Sequence, residues 1–138
     1  MTKFPKVGVG TIIKSKDKVL LLKRKNAHGD GTWAFIGGHL EFNESPEECA
    51  RREVLEEINI RIKNPFAAIF TNDIFPKEKK HYITIFVVAD YSGDKIKINE
   101  TENIERVEWY KWGELPSPLF IPLKNLLKKN FNPFNLKQ

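Results

Sequence analysis

The segment Glu41–Glu57, E-F-N-E-S-P-E-E-C-A-R-R-E-V-L-E-E, sets seven glutamates in seventeen residues of a chain whose formal charge is +5. The same segment carries a nearly complete set of helix-start signals. Ser45 is a favoured N-cap, Pro46 falls at the first helical position where its missing N–H is no loss, and Glu48 closes a capping box with Ser45. This predicts a helix running to about Ile58. Asn59 would stop it, because asparagine tolerates the left-handed conformation found at helix C-termini. Ala50, Val54 and Ile58 recur at four-residue steps as a buried stripe. Glu53 and Glu57 are also four apart, with Glu56 at the edge of the same face. A solvated helix surface is one reading of that face. Against it, Glu53 and Glu57 repel each other, and Glu56 and Glu57 lie toward the end where the helix dipole disfavours anions. A hard divalent cation offsets both penalties, because Mg²⁺ takes oxygen ligands and bridges carboxylates to phosphates. Spacing alone leaves both readings open.

The rest of the chain predicts a mixed α/β sandwich. Val7–Ile13 and Lys18–Lys23 are β-rich and separated by a short polar gap, as in a hairpin. Residues 26–32 read as a loop, and Trp33–Ile36 as a short apolar run ending at Gly37-Gly38. Phe66–Thr71, His81–Tyr91 and Val107–Tyr110 read as strands, with 72–80 a polar connection. Pro122–Lys129 can form a helix, with Leu123, Leu126 and Leu127 at helical spacing. With 138 residues and 41% apolar content, one core and one domain over 1–138 are expected. No apolar run reaches membrane-spanning length, the opening residues show no apolar leader, and Cys49 is the single cysteine. A cytoplasmic location and no membrane partner are therefore expected. The positive balance fits an anionic small molecule better than a stable nucleic-acid complex, because the basic residues are scattered and no RNA- or DNA-binding signature is present.

Gly38 to Ile60 resembles the Nudix box. That signature runs Gly, five residues, Glu, seven residues, Arg-Glu-apolar-any-Glu-Glu-any-Gly-apolar. Gly38, Glu44, Arg52, Glu53, Val54, Glu56, Glu57 and Ile60 match in order; Asn59 stands where the late glycine belongs. The similarity extends to Val7-Gly8-Val9-Gly10, Leu22-Lys23-Arg24-Lys25, His81-Tyr82-Ile83-Thr84-Ile85 and Trp109–Pro116. Together these look like MutT-like nucleotide diphosphatases, nearest the eukaryotic Nudix enzymes that act on oxidised-guanine and thiopurine nucleoside triphosphates.

The resemblance implies an α+β Nudix fold, a mixed β-sheet between helices. It implies a homodimeric hydrolase that cuts a nucleoside triphosphate to monophosphate and pyrophosphate with Mg²⁺ or Mn²⁺. Carried over residue by residue, Glu53 and Glu57 are the main metal ligands. Glu56 is a further ligand or the base that positions water, and the Gly37 carbonyl adds a ligand. Arg52 and Glu44 become a pair that orients the loop and the carboxylates. Arg24 and Lys25 are candidates for holding phosphate charge; a solvated strand end is the alternative. Ala34, Phe35, Thr84 and Phe120 would line a base pocket, with Gly38 and His39 nearer the phosphates; each pocket residue is equally explained as core. Ala34 stands where relatives often place a polar base-reading side chain, and Ile36 where proline commonly precedes Gly-Gly. Broad nucleotide use is the expectation. A non-nucleotide diphosphate, such as a prenyl diphosphate or pterin triphosphate, is a second reading, and a non-catalytic nucleotide-binding module a third.

Overall fold

The computed structural model describes residues 3–136. In chain order the elements are β1 (Lys6–Ser15), β2 (Lys18–Arg24), β3 (Trp33–Ala34), β4 (Ile36–His39), α1 (Pro46–Ile58), β5 (Ile62–Phe75), β6 (Lys80–Tyr91), β7 (Ile104–Lys111) and α2 (Ile121–Leu127), with one 3₁₀ turn at Trp112–Glu114. The predicted hairpin exists only at its tip, where Lys14 faces Val19 and Ser15 faces Lys18. Beyond it the strands splay. β1 runs parallel to β6 and antiparallel to β4, whereas β2 pairs with β3 and β7. The result is one mixed seven-stranded sheet, ordered β3-β2-β1-β6-β5, with β4 joined to β1 and β7 to β2.

Period-two alternation divides the apolar residues between the two faces of this sheet. Val9, Ile13, Leu20, Leu22, Val87 and Ala89 point to one side and pack under Ala50, Val54 and Ile58 of α1. Ile12, Val19, Leu21, Phe86 and Val88 point to the other and meet Leu123 and Leu126 of α2. Fully burying side chains of this size contributes roughly 1.5–3 kcal/mol each. The two helices thus cover opposite faces, and the sandwich expected from the sequence is the fold.

The signals read for α1 are all present. Glu48 N–H donates to Ser45 Oγ at 3.0 Å, and Ser45 N–H donates back to the Glu48 carboxylate at 2.9 Å. Asn59 takes the left-handed conformation (φ 61°, ψ 32°) and donates its N–H to Leu55 O, doing what glycine does in the signature. The last carbonyls of α1 would otherwise lack partners. The β6–β7 connection supplies them: Lys97 N–H donates to Ile58 O, Asn99 N–H to Glu57 O and Asn99 Nδ2 to Glu56 O.

The expected strands at Phe66 and Val107 begin earlier, at Ile62 and Ile104, and α2 is Ile121–Leu127 rather than Pro122–Lys129; two further differences bear on the site. Gly37-Gly38 does not end a strand but lies inside β4, opposite Gly10 and Val9 of β1. A Cβ at Gly37 would run into the Val9 carbonyl, so strand and glycine go together here. β5 also extends through residues 72–75, assigned above to a polar connection. Its inward positions there include Thr71 and Asp73, both fully buried, so the apolar alternation is masked by polar residues that bond inside.

Candidate active site

α1 carries its carboxylates over the backbone of β4. A Cβ on Gly38 would collide with the Glu53 carboxylate; the bare backbone there lets that side chain lie flat against the strand. Arg52 holds the arrangement from behind. Its Nε and Nη2 grip both oxygens of Glu44 at 2.7 and 3.0 Å, Nη1 donates to Glu53 at 2.6 Å and reaches Glu56 at 3.5 Å, and Nη2 also donates to His39 O at 3.2 Å. Such a two-pronged grip fixes geometry as well as charge. The bonds from Arg52 hold Glu44 down at about 2 and push the Arg52 guanidinium up through Glu44 and Glu53. Burial pushes the neighbouring Cys49 thiol up to about 12; its side chain is fully buried in the core under α1.

Glu57 is treated differently. One of its oxygens, Oε2, is buried and has no hydrogen-bond partner. Burial, reinforced by the negative charge of Glu53 and then Glu100, raises its carboxyl well above the ordinary range, with Arg24 only partly opposing. A buried acceptor left unpaired is destabilising. Hard oxygens from Glu53 and Glu57, which both line one cleft and of which one is without a partner, suit a divalent cation. Among the described residues, no three acidic, histidine or cysteine side chains already stand close enough to enclose an ion. The fit therefore rests on the unpaired Glu57 oxygen and on the donor chemistry.

The cleft has a volume of about 660 Å³. Glu53, Glu57 and Arg52 stand at one end with Gly37, Gly38 and His39, and Ala34, Phe35, Thr84 and Phe120 line its remaining walls. Arg24 enters from the end of β2. Its Nε donates to His28 O at 2.7 Å and its guanidinium lies 4.3 Å from the centre of the Phe120 ring. Burial lowers its pKa and Glu57 opposes that; a bound anion would restore the charge balance of this half-buried cation. Of the residues expected at the site, three are not in the cleft wall. Glu44 stands behind it as the partner of Arg52. The Glu56 side chain is 55% exposed. Lys25 is tied by its backbone N–H to Asn103 O, past the end of β2, and its side chain does not line the cavity.

The sequence reading missed several wall residues. Glu100 and Asn103 come from the β6–β7 connection, whose hydrogen bonds to the end of α1 bring Glu100 beside Glu57. Tyr82 stacks with His39, its hydroxyl 3.3 Å from Nε2. His28 packs edge-on against Phe75 and Phe120, and burial and then Lys80 lower its pKa. Neither His28 nitrogen has a hydrogen-bond partner; Glu78 lies 3.9 Å away, an ion-pair distance that a neutral imidazole does not use. Alternation along β6 could have flagged Tyr82. Only the tertiary fold brings Glu100 and His28 to the site.

A NUDIX-domain family model matches residues 4–130. The chain belongs to the NUDIX family. It is 31% identical over 118 residues to an ADP-ribose pyrophosphatase of Methanocaldococcus jannaschii, a match that covers 84% of this chain and 68% of that protein. It is also 31% identical over 114 residues to the NAD-capped RNA hydrolase NudC of Photorhabdus laumondii, covering 83% of this chain but 41% of the relative, so this NUDIX chain spans well under half of that longer protein. The crystal structure of a MutT NUDIX hydrolase from Burkholderia pseudomallei superposes with a TM-score of 0.81 at 26% identity, covering 90% of this chain and 99% of the other. This NUDIX chain is accordingly a hydrolase of that family, and its sheet and helices are those of the NUDIX fold. Among the described residues, no helix is long and apolar enough to cross a membrane.

Proposed function

We propose that this hydrolase cleaves nucleoside triphosphates to monophosphate and pyrophosphate with Mg²⁺ or Mn²⁺. The observation that carries the reading is the unpaired, buried Glu57 oxygen beside Glu53, at one end of a cleft whose wall also holds a guanidinium backed by an aromatic ring. When bound, a divalent cation supplies neutralisation of phosphate oxygens and acidification of water. Glu53 and Glu57 would hold it, with Glu56 and the Gly37 carbonyl as further oxygens. Arg52 and Glu44 keep Glu53 in place. Arg24 offers positive charge to the phosphate chain, as Lys25 does not. Phe120, Phe35 and Ala34 form apolar walls for a base, with Thr84 as a polar group among them and Gly38 and His39 nearer the carboxylates.

The motifs Val7–Gly10, Leu22–Lys25 and Trp109–Pro116 support a place near the eukaryotic oxidised-guanine and thiopurine nucleotide diphosphatases, with broad base use. A homodimer is consistent with the edge strand β5, which exposes Phe70 and Ile74 (54% and 58%), and a cytoplasmic setting with the single buried, unpaired cysteine. A specific finding favours a second substrate, ADP-ribose: the archaeal relative with that activity in its name matches 84% of this chain. The test is incubation with Mg²⁺ and canonical and oxidised (d)NTPs, ADP-ribose and prenyl diphosphates, separating pyrophosphate, phosphate and nucleoside monophosphate. Pyrophosphate and monophosphate from an NTP are expected. AMP and ribose phosphate from ADP-ribose alone would move the assignment to the second reading, and no turnover of any compound would overturn both.

A further inference from the structure

The inward face of β5 and β6 carries an unusual polar group in an otherwise aromatic setting. Asp73 is fully buried and accepts three hydrogen bonds: Thr71 Oγ1 at 2.9 Å and Thr84 Oγ1 at 2.5 Å on Oδ2, and Asn125 Nδ2 of α2 at 2.8 Å on Oδ1. Thr71 and Thr84 face each other across the β5–β6 ladder, and Thr84 also faces Gly8 of β1. By alternation Tyr82, Thr84 and Phe86 share one face of β6, and all three line the cleft with Gly8 and Gly10. Gly10 makes room for the Phe86 ring, and Gly8 leaves floor beside Thr84 and Tyr82, in a row that reads aromatic, hydroxyl, aromatic. A flat ring can lie there with its polar edge at Thr84.

Which partner that edge meets depends on the direction of the Thr84 proton. A threonine hydroxyl has one donor and two lone pairs. With its proton directed to Asp73, it offers only lone pairs to the cleft. Asn125, a donor through Nδ2, occupies the other Asp73 oxygen and holds the carboxylate in this orientation. We propose that Asp73 is a positioning residue that makes Thr84 an obligate acceptor, so that the cleft selects nucleobases presenting an exocyclic amino group to it. This rests on the nucleotide reading above and adds the chemical feature by which a base is chosen, at a place where Ala34 supplies no polar group.

The experiment measures kcat/KM at fixed Mg²⁺ for two substrate pairs differing by one amino group, GTP with ITP and ATP with purine riboside triphosphate. Wild type should favour the amino-bearing member of at least one pair by roughly five-fold or more, since a buried acceptor facing no donor is penalised. Thr84→Val should abolish that ratio, while Thr84→Ser, which keeps the hydroxyl and its bond to Asp73, should retain it. In Asp73→Asn the amide oxygen stays with Asn125, so the amide nitrogen faces Thr84 and turns the hydroxyl proton toward the cleft. The ratio should then shrink or invert. A ratio below about five in both pairs for wild type, a ratio that survives Thr84→Val, or a uniform loss in Asp73→Asn with the ratio unchanged would overturn the proposal. If Asp73→Asn does not fold, the Val and Ser variants decide alone. Absence of both turnover and any ligand-induced melting shift with all four compounds would sink the nucleotide reading and this proposal with it. Turnover without a ratio would sink this proposal only.

Discussion

Replacing Glu57 by glutamine should make the metal-free protein more stable while removing its activity. Glu57 Oε2 is buried without a partner and its carboxyl is raised by burial and by Glu53. In the unfolded chain the same group titrates near the ordinary carboxylate value of 4.5. Folding therefore takes up a proton once the pH exceeds that value, and stability falls as the pH rises from there toward the folded value. The linkage ceiling is about 1.4 kcal/mol per pH unit across that window. Mutational experience with a single unsatisfied buried acceptor is lower, about 1–3 kcal/mol. The lower figure governs, because Glu53 and the open cleft relax around the group. Glutamine has nearly the same shape and no charge, and its amide can donate to Glu53. At about 3–5 °C per kcal/mol for a chain of this size, the variant should melt roughly 3–15 °C above wild type at pH 8 in EDTA. The gap should close as the pH is lowered to about 4.5. Added Mg²⁺ or Mn²⁺ should raise the melting temperature of wild type but not of the variant, whose turnover should drop by roughly a hundred-fold or more. Calorimetry with and without chelator reads all of this. A variant that melts at or below wild type in EDTA at pH 8 would refute the idea that Glu57 is held against its own preference.

Arg52→Lys keeps the positive charge but loses the fork on Glu44 and Glu53, so kcat should fall by about ten-fold or more with little change in fold by circular dichroism. Because Arg52 lowers Glu44 to about 2, the stability lost in Glu44→Gln should be complete above the ordinary carboxylate range and should fade as acid melts approach pH 2. Gly38→Ala places a Cβ on the Glu53 carboxylate and should abolish metal-induced stabilisation, whereas the overpacking itself costs about 1–3 kcal/mol by urea titration. Asn59 sits at φ 61°, so Asn59→Ala should destabilise by about 1 kcal/mol and Asn59→Gly should be close to neutral.

The fold was legible wherever a local rule and the tertiary arrangement agree. Ser45, Pro46, Glu48 and Asn59 bracket α1 because capping is satisfied within a few residues, and the structure uses every one of those bonds. The alternation in β1, β2 and β6 is equally local. β5 resisted beyond Thr71 because Asp73 occupies an inward position expected to be apolar; its partners Thr84 and Asn125 lie 11 and 52 residues on. The carboxylate end of the site could be read from spacing, since Arg52, Glu53 and Glu57 share one helix. The opposite wall could not. His28 and Phe75 come from a loop and a distant strand that no periodicity links, and only the family resemblance places Phe120 there. Lys25 shows the converse: its charge suggested the site, and its backbone N–H bonds the wall residue Asn103, but its own side chain does not line the cavity.

The charge distribution explains why one carboxylate of α1 stands apart. Arg52 serves Glu41, Glu44, Glu53 and Glu56 at once, at 3.2, 2.7, 2.6 and 3.5 Å. With His39 O held as well, its five donors and fixed planar fork leave nothing for a further group. The other cation near Glu57 is Arg24, which already donates Nε to His28 O and lies on Phe120. Shifting Arg24 toward Glu57 would break both contacts and leave the His28 carbonyl without that donor. The basic surplus of the chain is thus kept off the one oxygen that burial makes most costly to leave alone. A surface helix selected for stability alone would pair that oxygen or replace it with glutamine. A site that must accept a cation from solution has to keep it free. This chain therefore forgoes stability at Glu57 while Arg52 secures the carboxylates around it, and the two arginines divide the cleft into an end that receives positive charge and an end that offers it.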